Sequence, residues 1–466
     1  MSTTASTASI AARLDRLPSS RYVWTLILLL SLGGIFEFYD LFFTAYVAPG
    51  LIKAGLFSPA SLGVFAGLGL VGAAGFGTFV FATFAGLFVG TLVFGYVADA
   101  FGRRAIFTYS LLWYSAATFA MAFQGSGFGV DLWRFIAGIG IGVELVTIDT
   151  YIAELIPAAT RGRAYAFSQF VTFSVVPVAA FLGWLLVPTK PFGLDGWRIL
   201  VLIGSVGAIF VWFIRRALPE SPRWLANHGR VAEAESVLAM IEARVAEQTG
   251  PLPAPGAHAG EEQEQGRFAD IWSDQYRHRT IMLSVFNFFQ TIGYYGFAAW
   301  VPTLLMAKGI HTTTSLAYAF IIAIANPIGP LLGMTFADKI ERKWQICGAA
   351  LGILVFMYAF TTVGNGAAII IFGILVTLSN NVMSYSFHNY QAELYPTRVR
   401  SRAVGFVYSW SRLSAAFAGL MIAFFLKHGG VSAVGVFIAI SMAIVILVIG
   451  VFGPRTRDLQ LEQISH

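Results

Sequence analysis

The sequence predicts an all-α membrane protein: twelve transmembrane helices in two pseudo-symmetric six-helix bundles. Three observations carry that prediction. Of the 466 residues, 57% are hydrophobic and 12% charged, with a mean hydropathy of +0.72, where a soluble domain carries about 25% charge. The apolar stretches are near twenty residues or longer, enough to cross about 30 Å of hydrocarbon as helix. Third, the charged signals recur at a fixed offset. Asp338, Arg342 and Lys343 lie 239 residues after Asp99, Arg103 and Arg104, and Asp338 to Glu393 spans 55 residues, as does Asp99 to Glu154.

The spans run roughly 22–47, 72–98, 104–123, 130–156, 164–187, 197–217, 279–305, 315–337, 345–363, 366–391, 403–426 and 431–453. Alternating-strand barrel patterning is absent, and 48 glycines suit closely packed membrane helices. The small, polar start, followed by Arg13, Arg16 and Arg21 and a full-length apolar run, reads as a retained first span rather than a cleavable signal. With both termini in the cytoplasm, the cytoplasmic segments hold 23 Lys and Arg, against five on the outer side, Lys53, Lys190, Arg198, Lys308 and Lys427. That bias supports the topology and accounts for the net charge of +6 without nucleic acid. Two crossings within 60–97 would invert it, so 50–71 is read as an apolar outer loop feeding the second span. The lone Cys347 excludes a disulfide framework and a cysteine metal cage.

Residues 1–217 form the first bundle, 218–278 a cytoplasmic linker, and 279–466 the second bundle with a cytoplasmic tail. Within the linker, 223–248 has helical spacing, 249–267 is rich in Pro, Gly, Glu and Gln, and 268–278 returns to span seven as a short helix. The repeat extends to Ala153-Glu154-Leu155-Ile156-Pro157 against Ala392-Glu393-Leu394-Tyr395-Pro396, and to Tyr151, Arg161 and Arg163 against Tyr390, Arg400 and Arg402. Parallel six-span halves of this kind are a transporter architecture.

GYVADAFGRR at 95–104, its weaker echo at Asp338–Lys343, and Pro219-Glu220-Ser221-Pro222-Arg223-Trp224-Leu225 after span six resemble the signatures of the major facilitator superfamily. The resemblance covers nearly the whole chain. Glu341 stands where the echo usually has glycine. Span seven keeps only Gln290 and Gly293 of the sugar-porter pattern. The sequence is therefore similar to sugar-porter-like metabolite:proton symporters, including organic-acid and niacin-type carriers. Span five lacks the glycine-rich motif of drug antiporters. The resemblance further implies a cytoplasmic gate of Asp99, Arg103, Arg104, Glu154, Arg161, Asp338, Arg342, Glu393 and Arg400, latching the bundles together when the transporter faces outward.

Ionisable residues within spans cost about 2.5–3.5 kcal/mol even on lenient scales. The candidates are Glu37, Asp40, Arg134, Glu144, Asp149, His388 and Arg412. Asp40 lies about 28 Å along span one and Arg134 about 6 Å below the outer end of span four, compatible depths. Proton-coupled relatives carry a similar acid and arginine. Protonation of Asp40 would release Arg134, which keeps its charge and must find another carboxylate, with Glu37 or Glu144 as candidates. A permanent structural bridge is the alternative. Full ionisation would leave uncompensated negative charge, so at least one acid, with Glu144 the best placed, should hold a proton. Asp149 and His388 occupy equivalent positions in the two halves.

Near mid-depth, Arg412 with Tyr408 and Trp410 suits a carboxylate ligand; a bridge to Glu144 or Asp149 is the competing account. Gln169, Asn287, Gln290, Tyr294, Asn380, Asn381, His388 and Asn389 are further substrate-binding candidates. Six of the seven histidines lie in loops or tails, and no metal-spaced cluster, nucleophile motif or P-loop is visible. The sequence thus reads as a monomeric inner-membrane secondary transporter in a lipid bilayer. It has no cofactor and no metal, and it carries a small organic anion with protons by alternating access. A sugar or polyol carrier and a transporter-derived receptor are the alternatives.

Overall fold

A computed structural model describes residues 3–57, 75–255, 267–336, 340–395 and 397–456. The side chains of 93–100 and of some helical positions, Asp149, Arg161 and Arg400 among them, lie outside that description, as do Asp338 and most of the expected 50–71 loop. Six stretches, Arg21–Lys53, Arg163–Leu186, Thr312–Leu332, Arg342–Thr362, Gly366–Gln391 and Arg402–Phe452, are long and apolar enough to cross a membrane by themselves. The last holds two crossings.

The helices are α1 (Thr3–Asp15), α2 (Arg21–Lys53), α3 (Phe76–Phe101), α4 (Arg103–Met121), α5 (Gly127–Leu155), α6 (Ala158–Phe173), α7 (Val175–Leu186), α8 (Gly196–Ser205), α9 (Gly207–Ala217), α10 (Pro222–Asn227) and α11 (Val231–Thr249). They continue with α12 (Arg277–Ala298), α13 (Val301–Ala307), α14 (Thr312–Ala323), α15 (Ala325–Phe336), α16 (Arg342–Thr362), α17 (Gly366–Glu393) and α18 (Thr397–Phe452), which turns sharply at Gly430, φ 66°. A 3₁₀ turn at Phe268–Trp272 stands where a short helix was expected.

Three expected spans are broken by proline. Pro177, Pro302 and Pro327 have no N–H for the carbonyls of Phe173, Ala298 and Ala323, and the helix is interrupted there between α6 and α7, α12 and α13, and α14 and α15. At the last break the Asn326 side-chain amide donates to the freed Ala323 oxygen at 3.0 Å. The α8–α9 break has no proline. It lies in Gly204-Ser205-Val206-Gly207, and a Cβ at either glycine would press on Tyr39, Phe43 or Phe36 of α2.

Helices α3 and α5 approach more closely than side chains allow. A Cβ at Gly86 would lie 2.3 Å from the Phe135 oxygen, at Gly90 2.2 Å from the Ile139 oxygen, and at Gly138 2.5 Å from the Thr83 oxygen. Two glycines four apart on each helix make this a small-residue seam. It brings Thr83 of α3 against Arg134 of α5.

The ends of the molecule differ. At the basic end, Glu220 accepts from the backbone N–H of Arg103 at 3.0 Å and Arg104 at 3.2 Å, capping α4. Gly102, φ 94°, makes that turn, and a Cβ there would meet Glu220 Oε2 at 2.7 Å. In the second half Glu341 occupies the corresponding place with ordinary extended backbone, φ −54° and ψ 127°. Its carboxylate instead accepts from the backbone N–H of Thr456 at 3.0 Å. Tyr151 donates to the Pro219 carbonyl and Tyr390 to that of Pro454, so the tyrosines of the repeat hold equivalent positions.

The start of the chain was read only as small and polar, yet it forms α1. Ile10, Leu14 and Leu17 pack with Leu238, Ile241 and Val245 of α11. Arg13 pairs with Glu235 and Glu242, Arg16 with Glu242, and Arg223 with Asp15.

Two predictions follow from packing and charge. Gly90→Ala should lower stability by about 1–3 kcal/mol, the usual overpacking range, measured by thermal unfolding in detergent. Gly405→Ala, with open space around it, should not. Burial opposes ionisation of Glu242, but hydrogen bonds from Arg13 and Arg16 outweigh it and hold its carboxyl below the ordinary value. A depressed folded value gives stability above the unfolded carboxyl's value of about 4.3, lost as pH falls through the folded one. Amide protection of α1 should persist from neutral pH to about that value and fall below it. Arg13→Ala should remove it at neutral pH.

Candidate functional site

The buried ion pair lies between α2 and α5. Arg134 Nη1 is 3.2 Å from Asp40 Oδ2, and both side chains are fully buried. Every nitrogen of the guanidinium is used. Nη2 donates to the Asp40 backbone oxygen and to Thr44 Oγ1, each at 2.7 Å, and Nε to Thr83 Oγ1 at 2.9 Å. Thr118 Oγ1 of α4 donates to the Asp40 carboxylate at 3.2 Å. The Phe43 and Phe79 rings flank the guanidinium at 4.9 and 5.5 Å. Four helices thus meet on one salt bridge.

Glu37 and Glu144 are also buried, and the two interact electrostatically. Neither Glu144 oxygen accepts a hydrogen bond among the described residues. A Cβ at Gly33 of α2 would lie 2.3 Å from the Phe107 ring, so that glycine makes room for Phe107, with Glu144 Oε1 at ordinary contact distance. Glu144 is ten residues from Arg134, about 15 Å along α5.

A small, partly open cavity lies where the proline breaks converge. Val176, Ala298, Val301, Ala323 and Asn326 line it from the three breaks; Phe42, Tyr46, Tyr294, Thr377 and Asn380 complete most of the wall. The Asn380 Oδ1 is buried without a hydrogen-bond partner among the described residues. Of the expected substrate residues Tyr294 and Asn380 line this cavity. Beyond it Tyr294 packs edge-on against Tyr295 at 4.9 Å, and its hydroxyl lies within the field of Tyr295 and Tyr408.

Arg412 is next in this aromatic series. It is buried, donates to the Tyr408 hydroxyl at 3.2 Å, and stacks over the Tyr408 ring at 4.9 Å. Its Nε has no hydrogen-bond partner, and it makes no ion pair among the described residues. The competing account, a bridge to Glu144, is not formed among the described residues, and Asp149 lies outside the described side chains. Glu37 interacts with Arg412 electrostatically, as does His388, which is surface-accessible and lies beside Tyr408 at 5.3 Å.

The remaining candidates scatter. Gln290 donates to Thr291 and Ser411, and Asn287 to Leu283 and Gln391. Asn389 bonds within its own helix, to Tyr385. Trp410 meets Phe406 edge-on, and its indole N–H has no partner among the described residues. Gln169 is exposed.

At the basic end Arg103 pairs with Glu154 at 2.8 Å, and Arg342 with Glu393 at 2.5 Å. These pairs occupy equivalent positions, and each lies within one half. Asp99, Arg161, Asp338 and Arg400 fall outside the described side chains. Ring contacts between the halves, Phe76–Trp300, Phe81–Phe417, Phe84–Tyr295, Phe181–Phe320 and Trp184–Phe320, all lie away from the basic end among the described residues.

The family model for "Sugar (and other) transporter" matches residues 26–466. The chain belongs to this family. It is a multi-pass membrane transporter, not an enzyme. This transporter is 31% identical over 459 residues to the putative metabolite transport protein YyaJ of Bacillus subtilis (strain 168), covering 97% of each chain. It is 28% identical to the niacin transporter NiaP of Acinetobacter baylyi, covering 98% of this chain and 99% of that one. Among solved structures it is similar to the inward-open xylose transporter XylE of E. coli, with TM-score 0.73 and 21% identity over 95% of this chain and 99% of that one. The likeness gives the fold: the twelve spans form the two pseudo-symmetric bundles of the major facilitator superfamily.

The sequence reading passed over Asp131, although it is a charge inside the span read at 130–156. It also passed over Tyr46, Asn326 and Thr377, ordinary residues that become cavity walls only through the proline breaks. Tyr295 was masked by its neighbour Tyr294. For the ion pair, Asp40→Ala should destabilise this transporter by about 3–5 kcal/mol by stranding Arg134. Asp40→Leu combined with Arg134→Met should cost less. Thermal unfolding in detergent compares them.

Proposed function

We propose that this transporter carries a small organic anion, a carboxylate, together with a proton by alternating access. Arg412 carries the reading. A buried guanidinium that keeps its charge, has an unused N–H and makes no ion pair among the described residues lacks its anion. A substrate carboxylate would supply it bidentately, with the ring or chain of the substrate rising past Tyr408, Tyr295 and Tyr294 towards the cavity. The niacin carrier among the relatives is consistent with a planar carboxylate.

Asp40 is the coupling acid in this reading. Ionised, it ties α2 to α5 through Arg134. Protonated, it loses that attraction, and the equilibrium between access states shifts. Glu37 and Glu144 share charge near the substrate arginine and extend the proton path. Gln290, Asn287, His388, Asn389, Trp410 and Gln169 are secondary substrate candidates. The pairs Arg103–Glu154 and Arg342–Glu393, with Arg104 and the undescribed gate residues, form the gate at the basic end. With cross-half ring contacts confined to the other end, the conformation is read as facing the basic side. That side is the cytoplasm in this reading: both termini and residues 218–278 lie there, between bundles 1–217 and 279–466, and the protein is a monomer of the inner membrane.

A sugar or polyol carrier is the second reading. It is favoured by the amide and hydroxyl groups of Asn326, Thr377 and Asn380 on the cavity, and by the proton:xylose symporter among similar structures. Uptake into proteoliposomes under an inward proton gradient separates the two, with nicotinate, benzoate and xylose as probes. The carboxylate probes should accumulate and xylose should not. Accumulation should collapse with an uncoupler, and Arg412→Gln should abolish carboxylate uptake. Retained uptake in that variant, or accumulation of xylose alone, would sink the carboxylate reading. Counterflow in the same vesicles distinguishes a carrier from a receptor.

A further inference from the structure

Glu37 of α2 and Arg412 of α18 belong to different halves, both are buried, and each lies within the other's field. Glu144 of α5 comes up on the other side. Its Oε1 is 3.6 Å from the place of a Cβ at Gly33, and Gly33 is one turn before Glu37 on the same face of α2. Glu37 acts on both Glu144 and Arg412, so it is the carboxyl that these two neighbours share.

The other titrating groups around Glu37 have places of their own. Asp40, three residues on, is paired with Arg134, whose nitrogens are all used by Asp40, Thr44 and Thr83. Tyr39 donates to the Leu200 carbonyl of α8 at 2.9 Å. Tyr114 of α4 lies within the field of Glu37, Asp40 and Glu144. Tyr408, Tyr295 and His388 surround Arg412 on the far side. Helices α7 and α13 bring no ionisable group. Arg198 of α8 donates to the Ala122 and Gln124 carbonyls at the end of α4. Arg163 of α6 is exposed, and the charges of α11 meet those of α1 at the basic end. Asp99 of α3, Arg161 of α6 and Arg215 and Arg216 of α9 lie outside the described side chains.

Arg412 is therefore the cation that faces Glu37. Neither Glu144 oxygen accepts a hydrogen bond among the described residues, and a buried charge without hydrogen bonds is costly, so Glu144 is the neutral member. One guanidinium compensates one carboxylate. A second anion placed on Arg412 would leave an ionised Glu37 buried without compensation.

We propose that Glu37 is the built-in anion of the empty carrier, and that a substrate carboxylate replaces it at Arg412 only as Glu37 binds a proton. The O–H bond of Glu37 forms with a proton from water on the side the site faces, and Arg412 keeps all its protons. Arg412 faces one negative charge before the exchange and one after it, so a monoanion and a proton enter the site together. Release runs the same step backwards, and the Glu37 carboxylate returns to Arg412 as the substrate leaves. The proposal rests on the reading of Arg412 as the carboxylate site.

Isothermal titration of the purified full chain with benzoate, in buffers of different ionisation enthalpy, counts the protons taken up on binding. Benzoate stays ionised near neutral pH, as carboxylic acids titrate at about 4. Below the value at which Glu37 ionises in the empty carrier, wild-type affinity should be flat. Above it, about one proton should be taken up per benzoate and affinity should fall about tenfold per pH unit. Glu37→Gln should bind without proton uptake and with an affinity indifferent to pH. Glu37→Asp should keep the tenfold slope and displace it along the pH scale, which identifies the acid even if the Gln variant does not fold. Without ligand, thermal unfolding of Glu37→Gln, Arg412→Gln and the double variant completes a cycle in which the double variant should lose less than the sum of the singles. Benzoate binding with no proton uptake at any pH, uptake unchanged in Glu37→Gln, or losses that simply add overturns the proposal. If benzoate does not bind the wild type while the cycle still shows coupling, the carboxylate reading has failed and the exchange falls with it.

Discussion

The Asp40–Arg134 pair sets the constraint that the first half of the protein obeys. A fully buried guanidinium is tolerable only when its donors are all satisfied, and no single helix can satisfy them. Asp40 and Thr44 of α2 and Thr83 of α3 accept from it, while Thr118 of α4 steadies the carboxylate. The seam of Gly86, Gly90 and Gly138 is what brings Thr83 within 2.9 Å. Packing and electrostatics are the same problem here. Glycines permit the approach, and the polar contacts fix its register.

The cavity has a different origin. Three prolines interrupt three helices, and the interruptions meet across the two halves. Backbone irregularity at membrane depth is tolerated where it lines a cavity, and Asn326 shows one way the freed carbonyl is answered. The tyrosines Tyr294, Tyr295 and Tyr408 then lead from that space to Arg412. A ligand that reached the arginine would cross from one half to the other, so binding and the relative position of the halves are linked by geometry.

The basic end is built twice with different parts. Arg103–Glu154 and Arg342–Glu393 are the same ion pair at a 239-residue offset. Around them the copies diverge. Gly102 admits Glu220 as a helix cap, while Glu341 forgoes the left-handed turn and binds the C-terminal segment instead. Helix α1, bound through Arg13 and Arg16 to α11, adds a strap with no counterpart among the described residues of the second half.

Much of this was legible in the sequence because it depends on period and offset. Apolar length gave the spans, the 239-residue repeat gave the equivalence of the two ion pairs, and depth counted along helices put Asp40 level with Arg134. Local chemistry was enough for these. What the sequence left open is whatever depends on which faces meet. The broken spans were read as continuous because hydropathy does not register a missing N–H. Asn326 and Tyr46 have no pattern that marks a cavity wall, and α1 has too little apolar character to announce a helix until α11 covers it. Asp131 was visible as a letter, but its burial is a property of the packed bundle. Sequence determined which charges the membrane must accommodate; only the tertiary structure decided which of them are neutralised, because a charge's partner is set by distance across helices and not along the chain.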